Sequence, residues 1–208
     1  MKITNRLKNR LKFINGFGCV LTEQIAREDD VSYRYAAKQV EAMVEAGLIK
    51  RMKLKILQWS PLVCTRSGCE VAGDNLAPLS GIRVGTLQHD LRLVDIGRGF
   101  KRLGGTFEPA RRVGLRRDEL ALEHLPDGIL HRPDHDPVYI EWETSLKSPA
   151  RLKKIIEGYA VNLLVKEVWY LVEDRAIGRA VAKAAAAYPF IKVVGVTPMK
   201  ASNSEAAQ

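Results

Sequence analysis

The sequence has no apolar run near the roughly 18 residues that a membrane-spanning helix needs, and its opening MKITNRLKNRLKFING lacks the apolar centre of a secretory leader. Those two absences predict a cytoplasmic chain with no membrane partner. Cysteine is scarce: Cys19, Cys64 and Cys69 form neither a CxxC pair nor an even set, which speaks against both a disulfide framework and a thiolate zinc site. Cys19 and Cys64 lie among apolar neighbours and read as core thiols. No internal repeat is visible, and compositional bias is confined to AVAKAAAAY and the polar tail SNSEAAQ. Acid is also in deficit, with 24 Asp and Glu against 33 Lys and Arg, a net charge of +9 and a pI of about 9.6. Such a field favours a polyanion, so nucleic acid is the first partner to consider, beside a basic protein with no such partner.

What is there begins with the first 60 residues, which carry six of the nine net charges. Leu7, Leu11 and Ile14 follow helical spacing, and Gly16 and Gly18 break the pattern. LTEQIAR then restarts it with Thr22 as the expected N-cap. After Asp29, Asp30 and Ser32, the stretch SYRYAAKQVEAMVEA places Tyr33, Ala36, Val40, Met43 and Val44 on one helical face, and Arg34, Lys38, Ala42 and Glu45 on the other, with Gly47 as terminator. In GLIKRMKLKIL, Arg51, Lys53 and Lys55 alternate with Met52, Leu54 and Ile56, the period of a half-buried strand. A second strand, PLVC, followed by TRSG, closes a hairpin in this reading. Three helices and a two-stranded wing make a winged helix-turn-helix, whose third helix enters the major groove. Arg34, Tyr35 and Lys38 are then best placed for bases or phosphates, with Gln39 on the flank, while Arg51, Lys53 and Lys55 follow the backbone. The alternative is a winged helix that binds protein, or a solvated basic face. The acidic patch Glu28, Asp29, Asp30 has to be turned away from phosphates for DNA to bind.

Residues 73–85 (GDNLAPLSGIRVG), rich in Gly and Pro, form the expected linker between a domain at 1–72 and another at 86–200, with a polar tail at 201–208. TLQHDLRLVDIGRGF reads as a helix with Leu87, Leu91 and Val94 inward and His89, Asp90 and Arg92 partly outward. From Arg98 to Arg117 there are seven Lys and Arg against one acid, Glu108. That composition suits a mobile, phosphate-contacting loop or hairpin, or a solvated one.

The second domain centres on LPDGILHRPDHDPVYIEWETSLKSPARLKK. Ile129–Leu130 and Val138–Trp142 read as two strands joined through HRPDHDP. A turn centred on Asp134 and His135 sets Gly128 opposite Glu141 and brings Asp127 and Glu141 to one end of the hairpin. Tyr139, Glu141 and Glu143 share one face, Ile140 and Trp142 the other. Converging carboxylates raise each other's pKa unless a cation or divalent metal lies between them, and hard oxygen ligands suit Mg²⁺ or Mn²⁺. Ordinary salt bridges to the nearby Lys and Arg are the alternative. A helix from SLKSPARLKKIIEGYAVNLL, a strand from EVWYLVED, a helix from RAIGRAVAKAAAAY and a strand from FIKVVGVTPM complete a mixed α/β layer.

LTEQIA, VEAGLIKR, VCTRSG, QHDLRLVD, LPDGIL, VYIEWETSLKSPARLKKIIEGY and VWYLVED, in that order, resemble the replication-relaxation family of conjugative plasmids and integrated elements. The resemblance implies a winged helix joined to a nuclease-like α/β domain, and a part in plasmid replication, mobilisation or relaxation at an origin. The second domain is also similar to the PD-(D/E)XK nuclease fold, whose pattern falls on Pro126-Asp127 and Glu141. Its lysine position is occupied by Glu143. Lys147 or Lys154 would have to supply the missing charge, and Asp90 would match the acid that completes the metal site.

The leading expectation is a sequence-specific DNA-binding accessory protein, without catalysis or cofactor, working with a relaxase or other mobile-element proteins or regulating that element's genes. A homodimer follows if its site is palindromic. The second is a Mg²⁺- or Mn²⁺-dependent endonuclease using Asp90, Asp127, Glu141 and a displaced lysine. The third is a protein-interaction module with incidental charge.

Overall fold

The computed structural model describes residues 2–54 and 59–197. The N-terminal part opens with α1 (Asn5–Phe17), where Thr4 Oγ accepts from Leu7 N–H at 3.2 Å, and Leu7, Leu11 and Ile14 are buried. The helix runs through Gly16 and is capped at Gly18 (φ 86°), so Gly16 is not the break its sequence suggests. A Cβ at Gly16 would lie 2.8 Å from Arg112 Nε; the glycine admits a close neighbour. In α2 (Thr22–Glu28) the cap is Leu21 and not Thr22, because the buried Gln24 side chain takes the Leu21 N–H at 3.0 Å. α3 (Tyr33–Glu45) is capped by Ser32 and ends at Gly47 (φ 68°), as the pattern predicts.

β1 (Ile49–Arg51) pairs antiparallel with β2 (Leu62–Cys64), Ile49 facing Cys64. The first strand is shorter than its alternation implies: Lys53 lies beyond it, and Lys55 lies outside the described residues. PLVC supplies the second strand of the hairpin, as expected, and in the TRSG that follows Thr65 caps α4 (Arg66–Ala72), its hydroxyl reaching Gly47 O at 2.6 Å. Gly68 lets this helix pass close to the backbone just before β1, for a Cβ there would meet Leu48 O at 1.9 Å. Leu11, Ile14, Ile25, Val40, Met43, Ile49 and Leu62 make the core, each large side chain contributing about 1.5–3 kcal/mol. All three cysteines are free and buried.

The second part is a three-layer α/β unit. α5 (Val84–Arg102) precedes β3 (Thr106–Pro109), α6 (Ala110–Val113), β4 (Gly128–His131), β5 (Val138–Glu143), α7 (Pro149–Ala160), β6 (Glu167–Val172), α8 (Arg175–Ala184) and β7 (Ile191–Gly195). Its five strands stand in the order β3-β4-β5-β6-β7, antiparallel from β3 to β5 and parallel from β5 to β7. Every residue of β5 is buried, as a strand covered on both faces must be. Val138, Ile140 and Trp142 pack with Leu93 and Leu171 on the α5 face, and Tyr139 packs with Ile155, Ile156 and Tyr159 of α7 on the other. The two faces therefore alternate as period two predicts.

Two expectations fail here. Residues 98–117 are not a mobile loop; they hold the end of α5, β3 and α6. The hairpin register differs by one residue from the expected one, so that Gly128 faces Ile140 and not Glu141, with Asp134 in the left-handed region at φ 57°. Aspartate tolerates that conformation because its short polar side chain bonds locally. Asp127 N–H still donates to Ile140 O at 3.0 Å, which keeps Asp127 and Glu141 at one end of the hairpin.

The segment between α4 and α5 is fastened down. Leu76 is buried, Asn15 Nδ2 donates to its carbonyl at 2.9 Å, and Arg112 pairs with Asp74 at 2.8 Å. Among the described residues no helix is long and apolar enough to cross a membrane.

Candidate functional site

Two surfaces stand out. On α3 the first core residue is Ala36, so the turn before it projects past the packed interior. Arg34, Tyr35 and Lys38 are exposed there and Gln39 is half-buried. Tyr33, expected on the inward face, is 57% exposed for the same reason. None of the ion pairs among the described residues involves Arg34 or Lys38. Arg51 is different: it closes on Glu41 across from β1, which neutralises it. Lys53 is exposed. Of the acids at 28–30, Glu28 binds Lys101 and Asp29 binds the buried Arg10, leaving Asp30 exposed.

Most cations of 98–117 are engaged by the chain itself, although Lys101, Arg102 and Arg117 are exposed. Arg98 donates to Arg27 O at 2.9 Å, Arg111 to Ala77 O at 2.6 Å, and Arg112 to Lys12 O at 3.0 Å as well as to Asp74. Arg116 pairs with Glu108 at 2.6 Å, and Arg117 takes the carbonyls of Leu122 and Glu123 at 2.9 and 2.7 Å. These side chains join the two parts of the molecule and brace the turn before β4.

The second surface is the acidic end of the hairpin. Asp127 Oδ2 accepts from Trp142 N–H at 2.7 Å. His89, on α5, lies between two acids: its Nε2 is 3.3 Å from Asp127 Oδ2 and 3.0 Å from Trp142 O, and its Nδ1 is 3.4 Å from Asp90 Oδ1. Burial opposes charge on this ring, yet hydrogen bonds to Asp127 and Asp90 prevail and push it up to about 10. Both ring nitrogens then donate, and an imidazolium bridges the two carboxylates at neutral pH. Asp90 also receives the Thr86 hydroxyl at 3.2 Å.

Glu141, 3% exposed, is held from the α7 side. Its Oε1 accepts the Tyr159 hydroxyl and lies 2.9 Å from His124 Nε2. Burial raises the Glu141 pKa, His124 opposes the rise and Asp127 adds to it. Burial and then Glu141 itself push Tyr159 well above the usual phenol range. Glu143 is closed on Lys147, four residues on, while Lys154 is exposed on α7. Tyr170, opposite Glu141 on β6, is fully buried with a hydroxyl that has no partner among the described residues.

Asp127 is thus joined to Asp90 through His89, and Glu141 is held separately. Among the described residues no group of three or more His, Cys, Asp or Glu is arranged to hold a metal ion. Asp127 Oδ2 is engaged by Trp142 N–H, Asp90 by His89 and Thr86, and Glu141 Oε1 by Tyr159 and His124, so a metal at Asp90, Asp127 and Glu141 would have to displace His89 from between the first two. Sequence reasoning missed His89, His124 and Tyr159. The one local signal was His89 beside Asp90; Tyr159 sits on the same buried stripe as Leu152, Ile155 and Ile156 and reads as core. Comparison with protein-family models, curated proteins and solved structures finds no match to this chain.

Proposed function

We propose that this chain is a sequence-specific double-stranded-DNA-binding protein whose N-terminal part works as a winged helix and whose α/β part is a non-catalytic, nuclease-like scaffold. The observation that carries the reading is the exposed turn of α3, where Arg34, Tyr35 and Lys38 face solvent with no carboxylate on either cation among the described residues. Arginine and lysine there can take guanine edges or phosphates once the helix lies in the major groove. Ile49–Arg51 and Leu62–Cys64 supply the wing, and Lys53 follows it toward the backbone.

A helix, an antiparallel hairpin with its acids at one end, then two parallel strands with their helices support the nuclease-like reading. The His89 imidazolium, set between Asp90 and Asp127, favours a site whose charge is balanced internally. The resemblance to the replication-relaxation family then suggests an accessory role at a mobile-element origin, in the cytoplasm, beside a relaxase or as a regulator, with a homodimer on palindromic sites. Fluorescence anisotropy against a randomised duplex pool tests it: binding that strengthens as salt falls, and that enriches a sequence, is the expected result. No binding at low salt would falsify the reading.

A second reading, a Mg²⁺-dependent endonuclease, draws on one contact: Lys147 brings its ammonium to Glu143, the position where the nuclease pattern places lysine. It requires His89 to leave the acids. Cleavage of supercoiled plasmid that disappears in an Asp127→Ala, Glu141→Ala double variant would establish it in place of the first.

A further inference from the structure

A cleft of about 290 Å³ opens between the start of α1 and one flank of α3, lined by Lys2, Thr4, Arg6, Leu7, Arg10, Gln39 and Ala42. Tyr35, Gln39 and Ala42 recur at helical spacing and form one stripe of α3, next to the stripe that carries Arg34 and Lys38. The Arg6 guanidinium lies over the Tyr35 ring, 5.9 Å from its centroid, and donates one N–H to Asp29 O at 3.3 Å. Arg6 and Lys2 are both exposed. Among the described residues neither cation has a carboxylate partner, and the Asp29 carboxylate is closed on Arg10. Thr4 Oγ accepts from Leu7 N–H, which leaves its own O–H to donate.

The open groups of this cleft are therefore cations and neutral donors, and the matching occupant is a run of phosphate oxygens. We propose that the cleft seats the phosphodiester backbone of the DNA strand bordering the groove that α3 enters, with Lys2 and Arg6 as phosphate contacts and Gln39 and Thr4 as neutral donors. The proposal rests on the DNA-binding reading of α3. Backbone contacts of this kind carry no sequence information but fix the register of the reading helix. Arg6 does both at once, because the ring it covers belongs to a residue of the reading turn.

The test is a salt titration of duplex binding by the full chain, comparing the parent with a Lys2→Ala, Arg6→Ala double variant and with Lys38→Ala. Lys2 and Arg6 are exposed, so their loss is expected to leave the fold intact, and circular dichroism serves as the check. The double variant is expected to bind every duplex about ten-fold more weakly at low salt, with the dependence of log Kd on log salt shallower by about 0.9 for each phosphate no longer neutralised. Arg6→Lys should restore part of the slope. Parent-like affinity and slope in the double variant, together with weakened binding in Lys38→Ala, would overturn the cleft proposal alone and leave the cleft to an acidic protein partner. Failure of the parent to bind any duplex at low salt would overturn both.

Discussion

Two stretches of this chain are alike in composition and opposite in use. Residues 98–117 hold seven basic side chains, and those at 98, 101, 111, 112, 116 and 117 close on carbonyls or carboxylates of the same chain. The turn at the start of α3 has far fewer, yet Arg34 and Lys38 stand in solvent. Net charge measures the pull on a polyanion at a distance; pairing decides which cations can touch one. By that criterion the more basic stretch holds the molecule together and the less basic one is the proposed interface.

The sharpest way to break this contrast is to remove one cation from each stretch and ask what is lost. Arg112→Ala leaves the Asp74 carboxylate, 4% exposed, without its partner and removes the bond to Lys12 O. Stability should fall by about 3 kcal/mol in urea denaturation, with DNA affinity of the folded fraction unchanged. Arg34→Ala or Lys38→Ala should do the reverse, costing about 2 kcal/mol of specific binding if either makes a base contact and leaving the denaturation midpoint in place. Unchanged affinity in both variants would remove α3 from the interface.

His89 extends the comparison to a cation enclosed by acids. Its ring titrates at 6.5 when free and about 10 when folded. The stability it contributes is therefore complete below the free value and lost as pH climbs through the folded one. The parent should weaken between pH 7 and pH 10, and His89→Gln, less stable by about 1 kcal/mol at neutral pH, should weaken much less over that range. Equal pH profiles would show that the imidazolium does not bridge the acids. The smallest effect is expected just beyond β1, where Lys53→Ala should flatten the salt slope by about 0.9, the share of a single phosphate, with no change in sequence preference.

Local pattern made much of this legible. Period two separated Glu141 and Glu143 from Ile140 and Trp142, and the 3.6 period with Ser32 and Gly47 bounded α3. What stayed hidden depended on partners distant in sequence. Gly16 read as a helix breaker because its neighbour, Arg112, lies nearly a hundred residues away. β3 was missed since four residues ending in proline, inside a basic stretch, look like loop until they pair with Gly128–His131. The hairpin register slipped by one because the sequence does not say which of two turn residues takes φ > 0. The acids were seen to converge, but the histidine between Asp127 and Asp90 comes from another element, and only the fold brings it there.

The most direct test of the account is the affinity of the full chain for a duplex selected from a randomised pool, measured beside an Arg34→Ala, Lys38→Ala double variant at several salt concentrations. Binding by the parent that falls steeply with salt, and a double variant that keeps only weak, sequence-indifferent binding, is the predicted result. Equal binding of selected and scrambled duplexes by both proteins would contradict it, because α3 would then be one more solvated basic face.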